Sequence, residues 1–200
     1  MTTAYSGDGI TFPDSTVQAT APRVGMVNRI INGDMRIDQR NAGASVTLAG
    51  STYLLDRWRV GYSSTAVMSF QQVADAPAGF THSLLSTVVT SSATASGNLF
   101  YLQQNIEGFN VSDFGFGTVN AQPITASFWV KSSLTGLKSF SFINGAINRA
   151  YGTTYNIVSA NTWEYKTITV PGDTTGTWET NNGTGIELHF NFAIGSTYQA

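Results

Sequence analysis

No window of this chain carries an apolar stripe at helical spacing over three turns, whereas one segment after another alternates apolar and polar residues with a period of two. The cleanest is residues 137–147, where Leu137, Ser139, Ser141 and Ile143 oppose Lys138, Phe140, Phe142 and Asn144. Period-two alternation sorts side chains onto two faces only when the backbone is extended. The same reasoning places strands at 66–73, 81–89, 98–106, 124–131, 151–158, 162–170 and 185–194, with turn residues between them. The 81–89 run is read as strand because its core is β-branched. Many short strands without helices predict an all-β protein, an antiparallel β-sandwich of the jelly-roll kind. Its interior is expected to include Phe128, Val130, Trp163, Phe190 and Phe192.

The head of the chain looks different from this body. Arg23, Arg29, Arg36, Arg40, Arg57 and Arg59 make up six of its ten basic residues, and Asp34, Asp38 and Asp56 are interleaved with them. From Gly61 to Val130 no Lys or Arg occurs. Residues 26–31 read as a short apolar strand and Asn32-Gly33-Asp34 as a turn. Met35 and Ile37 then alternate with Arg36 and Asp38, giving one buried and one wet face. Residues 40–51 read as a loop. Residues 1–25, broken by Gly7, Gly9, Pro13 and Pro22, read as an extended attachment arm with a small anchor around Ile10 and Phe12. Residues 26–200 form the sandwich domain. No closing strand follows 185–194, so either 26–31 pairs with that segment or the natural chain continues beyond residue 200.

Composition narrows the function. Charged residues are only 11%, against about a quarter in ordinary soluble domains, so hydroxyls and amides must carry solubility. A net charge of −2 offers no basic face to phosphates, and nucleic acid is not expected as a partner. Cysteine is absent, which excludes disulfides, thiolate catalysis and Cys-ligated zinc and points to folding in a reducing cytosol. No apolar run approaches the ~18–20 residues that span a bilayer, so membrane insertion is not expected. A chain made in the cytosol yet dressed in Ser, Thr, Asn and Gly fits a virion protein released by lysis.

Several segments support a resemblance. The stretch Gly9 to Pro22 resembles a short segment, I-x-F-P-D-G-T-x-Q-x-T-A, that recurs in bacteriophage tail-fibre proteins, with Ser15 where glycine is usual. Asn32-Gly33-Asp34-Met35, then Arg36-Ile37-Asp38-Gln39-Arg40, then Asp56-Arg57-Trp58 resemble the N-G-D-F…W-Q-R…D-R-W opening of jelly-roll domains in phage fibres and virion proteins. Met35 stands for the Phe and Asp38 for the Trp. Leu102 to Gly108, Ser127 to Ser132 and Trp163 with Tyr165 resemble core strands of carbohydrate-binding-module-like jelly rolls. The resemblance implies a phage structural protein, a tail fibre or fibre-like appendage that contacts host-surface polysaccharide. It also implies a homotrimer attached to other virion proteins through the arm, on the particle surface. The alternatives are a capsid-decorating or head-fibre protein with a purely structural role, and a carbohydrate-binding module from an enzyme.

Candidate residues follow. An outward Trp129 flanked by Lys131, with Tyr101, Tyr151 and Tyr155, would offer stacking surfaces to sugar rings. Asn32, Asp34, Asp56, Arg57 and Trp58 make the structural head motif. Asp34 is the candidate ligand for a structural Ca²⁺, no other cofactor being expected. The competing assignment has Asp34 capping its turn and Asp56 paired with Arg36, Arg57 or Arg59. Catalysis is not expected. His82 and His189 lie on separate segments without a triad signature, and carboxylate pairs such as Asp34/Asp56 or Glu107/Glu164 are unremarkable among 12 acidic residues.

Overall fold

The computed structural model describes residues 27–48 and 50–199, together with the backbone of three short strands nearer the N-terminus. Those three are β1 (Ala4–Ser6), β2 (Gly9–Thr11) and β3 (Val17–Gln18), paired antiparallel in that order. The rest of the expected arm, including most of its phage-like segment, lies outside the described residues.

The body is built on one large sheet. β5 (Thr52–Tyr53), β6 (Arg59–Ser63), β9 (Leu99–Glu107), β11 (Gly136–Asn144), β12 (Ala150–Ile157) and β14 (Thr184–Ile194) form it in the order β12-β11-β14-β9-β6-β5. A covering layer consists of β4 (Val46–Leu48), β7 (Val67–Val73) and β8 (Ser83–Thr90), with β10 (Ile124–Val130) and β13 (Glu164–Val170) as a separate ribbon. Every pairing in both layers is antiparallel. The expected all-β antiparallel sandwich is what forms. Among the described residues helical geometry is limited to three single 3-10 turns.

Register explains the core. Val60, Leu102 and Phe190 sit opposite one another across three strands, as do Phe142 and Leu188, and Ile106 and Ile186. This inner face meets the covering layer through aromatic contacts. Phe128 of β10 stacks on Phe140 with centroids 5.7 Å apart and meets Phe190 edge-on at 4.9 Å. Phe70 of β7 reaches Phe100 at 6.3 Å and Phe192 at 5.8 Å. Both halves of the cover therefore bury one continuous apolar cluster. Phe192 joins it only by one side and stays 40% exposed, and Val130 is half-buried. Trp163 departs from the expectation. It is half-buried outside the core cluster, donates Nε1–H to Asp75 at 3.2 Å, and has the Lys131 ammonium 5.3 Å above its ring.

The head corrects three expectations. Of the expected strand 26–31, the described residues 27–31 do not pair with β14, whose neighbours are β11 and β9, and 27–30 form no strand. The Gln104 side chain, fully buried on β9, instead grips the Ile31 backbone, accepting its N–H and donating to its C=O at 2.9 Å each. Met35 and Ile37 do not alternate in and out. Met35 takes φ 56 and Ile37 is 48% exposed, because Asn32 organises this segment through its side chain. The Asn32 amide donates to the carbonyls of Ile37 and Asp56 at 2.9 and 3.0 Å and accepts the Ile37 N–H at 2.9 Å. The Asn32 carbonyl in turn accepts Trp58 Nε1–H at 2.9 Å, with the Trp58 ring buried in the core. Third, β4 lies inside what the sequence presents as a loop.

Asp56 forms no ion pair with Arg36, Arg57 or Arg59. Its Oδ2 accepts the Gln39 N–H at 2.8 Å. Arg57, at φ 73, turns away to Glu107 at 2.7 Å and to the Asn105 carbonyl at 3.1 Å. Arg36 closes on Asp34 instead.

Candidate functional site

The strand alternation that fills the core leaves the opposite face of the large sheet with a polar set. Arg59, Gln103, His189 and Ser141 lie in register across β6, β9, β14 and β11, and Gly61, Tyr101, Asn191 and Ser139 form the next row. Asn105 and Glu187 make a third. Facing away from the covering layer, these positions would ordinarily be wet. Yet Gln103, His189 and Glu187 are 2%, 4% and 8% exposed. Burial of that kind demands internal partners. His189 Nε2 donates to Glu187 Oε2 at 2.9 Å, and Gln103 Nε2 donates to Asn105 Oδ1 at 2.6 Å. Asn191 Nδ2 bridges the Ser139 and Ser141 hydroxyls at 3.0 and 2.9 Å, while its Oδ1, also buried, has no partner among the described residues.

Tyr101 organises this face. Its ring lies parallel to the His189 imidazole, 4.1 Å away with a 9° interplanar angle. The same ring crosses Gly61, where a Cβ would stand 2.2 Å from ring atoms. Glycine is required there by close approach alone, since any side chain must push the ring aside. Burial, and then the Glu187 carboxylate, raise the Tyr101 pKa above the usual phenol value, against the opposing pull of Arg59. The hydroxyl is thus held as a neutral donor. Chemically, the half-buried groups of this face are the Tyr101 phenol, the Arg59 guanidinium, the Asn105 and Asn191 carboxamides and the Ser139 and Ser141 hydroxyls, which is equipment for hydrogen-bonding a polyol, while the buried Gln103, Glu187 and His189 hold them in place. Ser141 opposes His189 in register but makes no hydrogen bond to it, so no nucleophile–base pair is assembled.

The other sequence candidates are not brought to this place. Trp129 and Lys131 lie on the outer side of the covering layer. Trp129, 40% exposed, pairs across the ribbon with Tyr165 at 5.3 Å. Lys131 is engaged by Asp75 and lies over Trp163. Tyr155 faces inward, edge-on to Phe128 at 5.1 Å, and burial pushes its pKa up to about 12. Tyr151, also on the inner side, borders a cleft with Phe116, Arg149 and Trp178. The five candidates therefore occupy three separate regions, with Tyr101 alone on the polar face. Around Asp34 the Arg36 guanidinium occupies the carboxylate, and among the described residues no group of three or more acidic or His side chains is placed to hold a cation. The side chains there do not form a Ca²⁺ cage.

Sequence reasoning weighed His189 only as a catalytic group and passed over Gln103, Glu187 and Asn191. Their signal was present: in GIELHFN the residues at 187, 189 and 191 are polar while those at 186, 188 and 190 are apolar.

A second missed cluster is structural. Arg149 holds both oxygens of Asp173, through Nε and through Nη2 at 3.0 Å, and Trp178 Nε1 donates to Asp173 Oδ2 at 3.2 Å. The Arg149 guanidinium, first among these partners, holds the Asp173 carboxyl well below the usual carboxylate range. With a depressed folded pKa, its stabilising contribution is complete above the unfolded value of about 3.9 and is lost as pH falls below it. In thermal melts, Asp173→Asn should lie below the parent protein at pH 5–7, and the gap should close on acidification toward pH 2. A gap independent of pH would assign the effect to packing.

No family model matches the sequence, and no curated protein matches it. Among solved structures, the enzymatically active domain of bacteriophage CBA120 tailspike protein 4 aligns with 70% of this chain at 19% identity and TM-score 0.42. The CBM22-1–GH10 modules of a Clostridium thermocellum endo-1,4-beta-D-xylanase, complexed with xylohexaose, align with 68% at 16% identity and TM-score 0.41. The chain spans 18% and 23% of those two proteins. Neither likeness bears on what this chain binds, and its fold rests on its own strands and register.

Proposed function

We propose that this chain is a non-enzymatic structural component of a bacteriophage particle, a fibre-like appendage whose sandwich contacts host-surface glycans. Assignment to a phage particle draws on the tail-fibre-like segments at Gly9 to Pro22 and at Asn32 to Trp58. Glycan contact is carried by one observation: the half-buried Tyr101 ring, backed by the buried His189 imidazole and set among hydrogen-bonding side chains on the face of the large sheet away from the covering layer. Sugars present hydroxyls to such groups and C–H faces to aromatic rings. Assembly as a homotrimer, joined to other virion proteins through residues 1–25, is part of the same reading. Exposed Leu85, Val89, Trp129 and Tyr165 on the outer side of the covering layer support association through that layer. Such packing would leave the polar face free.

The test is direct binding of the purified protein to host-surface polysaccharide. Tyr101→Ala should weaken it about tenfold or more, within the 1–3 kcal/mol range of a lost aromatic stacking contact. Gly61→Val should do likewise without removing any polar group, by displacing the Tyr101 ring. Absence of binding by the parent protein would favour the purely structural, capsid-decorating reading. Binding unchanged in both variants would move the contact elsewhere on the sandwich.

A further inference from the structure

One end of the polar face runs into a cleft of about 570 Å³ whose walls include Arg40, Tyr53, Asp56, Arg57, Arg59 and Glu107. Tyr53, 47% exposed at the sheet edge, has two guanidinium groups near its ring. Arg40 lies 5.1 Å and Arg59 6.0 Å from its ring centroid. The charges do not cancel locally. Arg57 is taken by Glu107. Asp56 has one oxygen on the Gln39 N–H and stands in no ion pair among the described residues. Arg40 and Arg59 likewise pair with no carboxylate among the described residues. With Asp56 opposing them in the same cleft, Arg40 and Arg59 still leave one net positive charge, in a chain of net charge −2, that an anion would relieve. Arg59 is in register with Gln103, and Asn105 lines the cleft while hydrogen-bonding Gln103. The cleft and the polar face are one continuous surface.

We infer that this cleft takes the carboxylate of an acidic sugar residue, so that the glycan bound on the polar face is an anionic, uronate-bearing polymer. The inference rests on the glycan-contact reading above. Planar guanidinium groups match a carboxylate through paired N–H donors, and the exposed part of the Tyr53 ring beside them gives the same sugar an apolar contact. Arg57, already holding Glu107, fixes the floor rather than the ligand.

The experiment compares polygalacturonate, its carboxyl-reduced form and a sulfated galactan, measured against the parent protein, Arg40→Gln/Arg59→Gln, Arg40→Lys/Arg59→Lys and Tyr101→Ala. Expected for the parent is salt-sensitive binding of polygalacturonate, with the carboxyl-reduced polymer bound about tenfold or more weakly, the scale of one charge-assisted contact. The Gln pair should bind both polymers equally, and the Lys pair should keep part of the preference. Tyr101→Ala should weaken both. Equal binding of the acidic and reduced polymers by the parent protein overturns the inference and leaves glycan contact standing. So does a preference that survives in the Gln pair. Binding of the sulfated galactan in place of the uronate overturns the carboxylate assignment. If the parent protein binds none of the three polymers, the uronate assignment falls, and binding to host-surface polysaccharide decides the glycan-contact reading separately. The parent's preference between polygalacturonate and its carboxyl-reduced form decides even if a variant fails to fold.

Discussion

Asn32→Ala is expected to lower stability by about 2–4 kcal/mol, because it strips partners from three backbone groups at once. The Ile37 N–H and the Ile37 and Asp56 carbonyls all lean on this one carboxamide. Asn32 is 9% exposed and takes φ 54, a left-handed conformation that Asn tolerates better than Ala. For a domain of this size the loss corresponds to a fall in melting temperature of roughly 5–15 °C. Asp56→Ala removes only the contact to the Gln39 N–H and should cost less than about 1 kcal/mol. Equal losses in the two variants would show that Asp56, and not Asn32, holds the head together.

Phe140→Ala should have the larger effect still, about 3–5 kcal/mol in urea unfolding. Phe140 has no exposed surface and touches Phe128, Phe142 and Phe190 within 5.1–5.7 Å. These contacts span both layers, so the cavity would open at the middle of the sandwich. Phe192→Ala, at a site 40% exposed, should cost roughly a third as much. Comparable losses at the two positions would mean the covering layer is not packed on the large sheet as described.

The sandwich was legible in the sequence wherever one strand face is apolar. The expected segments at 66–73, 98–106, 124–131 and 185–194 agree with β7, β9, β10 and β14 to within a residue at either end. β4 was invisible because three residues are too few to show alternation. The head was misread for a different reason. Its order comes from side chains bonded to backbone, as at Asn32 and Gln104, and from left-handed φ at Asn32, Met35 and Arg57, neither of which hydrophobic periodicity reports. The Asp56–arginine pairing failed through the same local geometry, since φ 73 turns Arg57 across to Glu107. Of the candidate residues, Tyr101 was singled out as an aromatic, and it is the one that lies on the polar face of the large sheet. Its partners were not recognised as such because Glu187 and His189 look like solvent-facing punctuation until β14 is seen to be a central strand.

The grip of Gln104 on Ile31 also sets a path for mechanical load. Were tension applied from the N-terminal side, the first contacts to bear it among the described residues would be the exposed Arg29–Asp113 ion pair and then the two hydrogen bonds at Ile31. From there it passes into β9, which is laddered to β14 on one side and β6 on the other. A pull delivered to the centre of a sheet has to shear two ladders together, whereas a pull on an edge strand opens one ladder bond by bond. A tether joined at this point is therefore held both by the Ile31 clasp and, one residue on, by the bonds of Asn32 to Ile37, Asp56 and the buried Trp58.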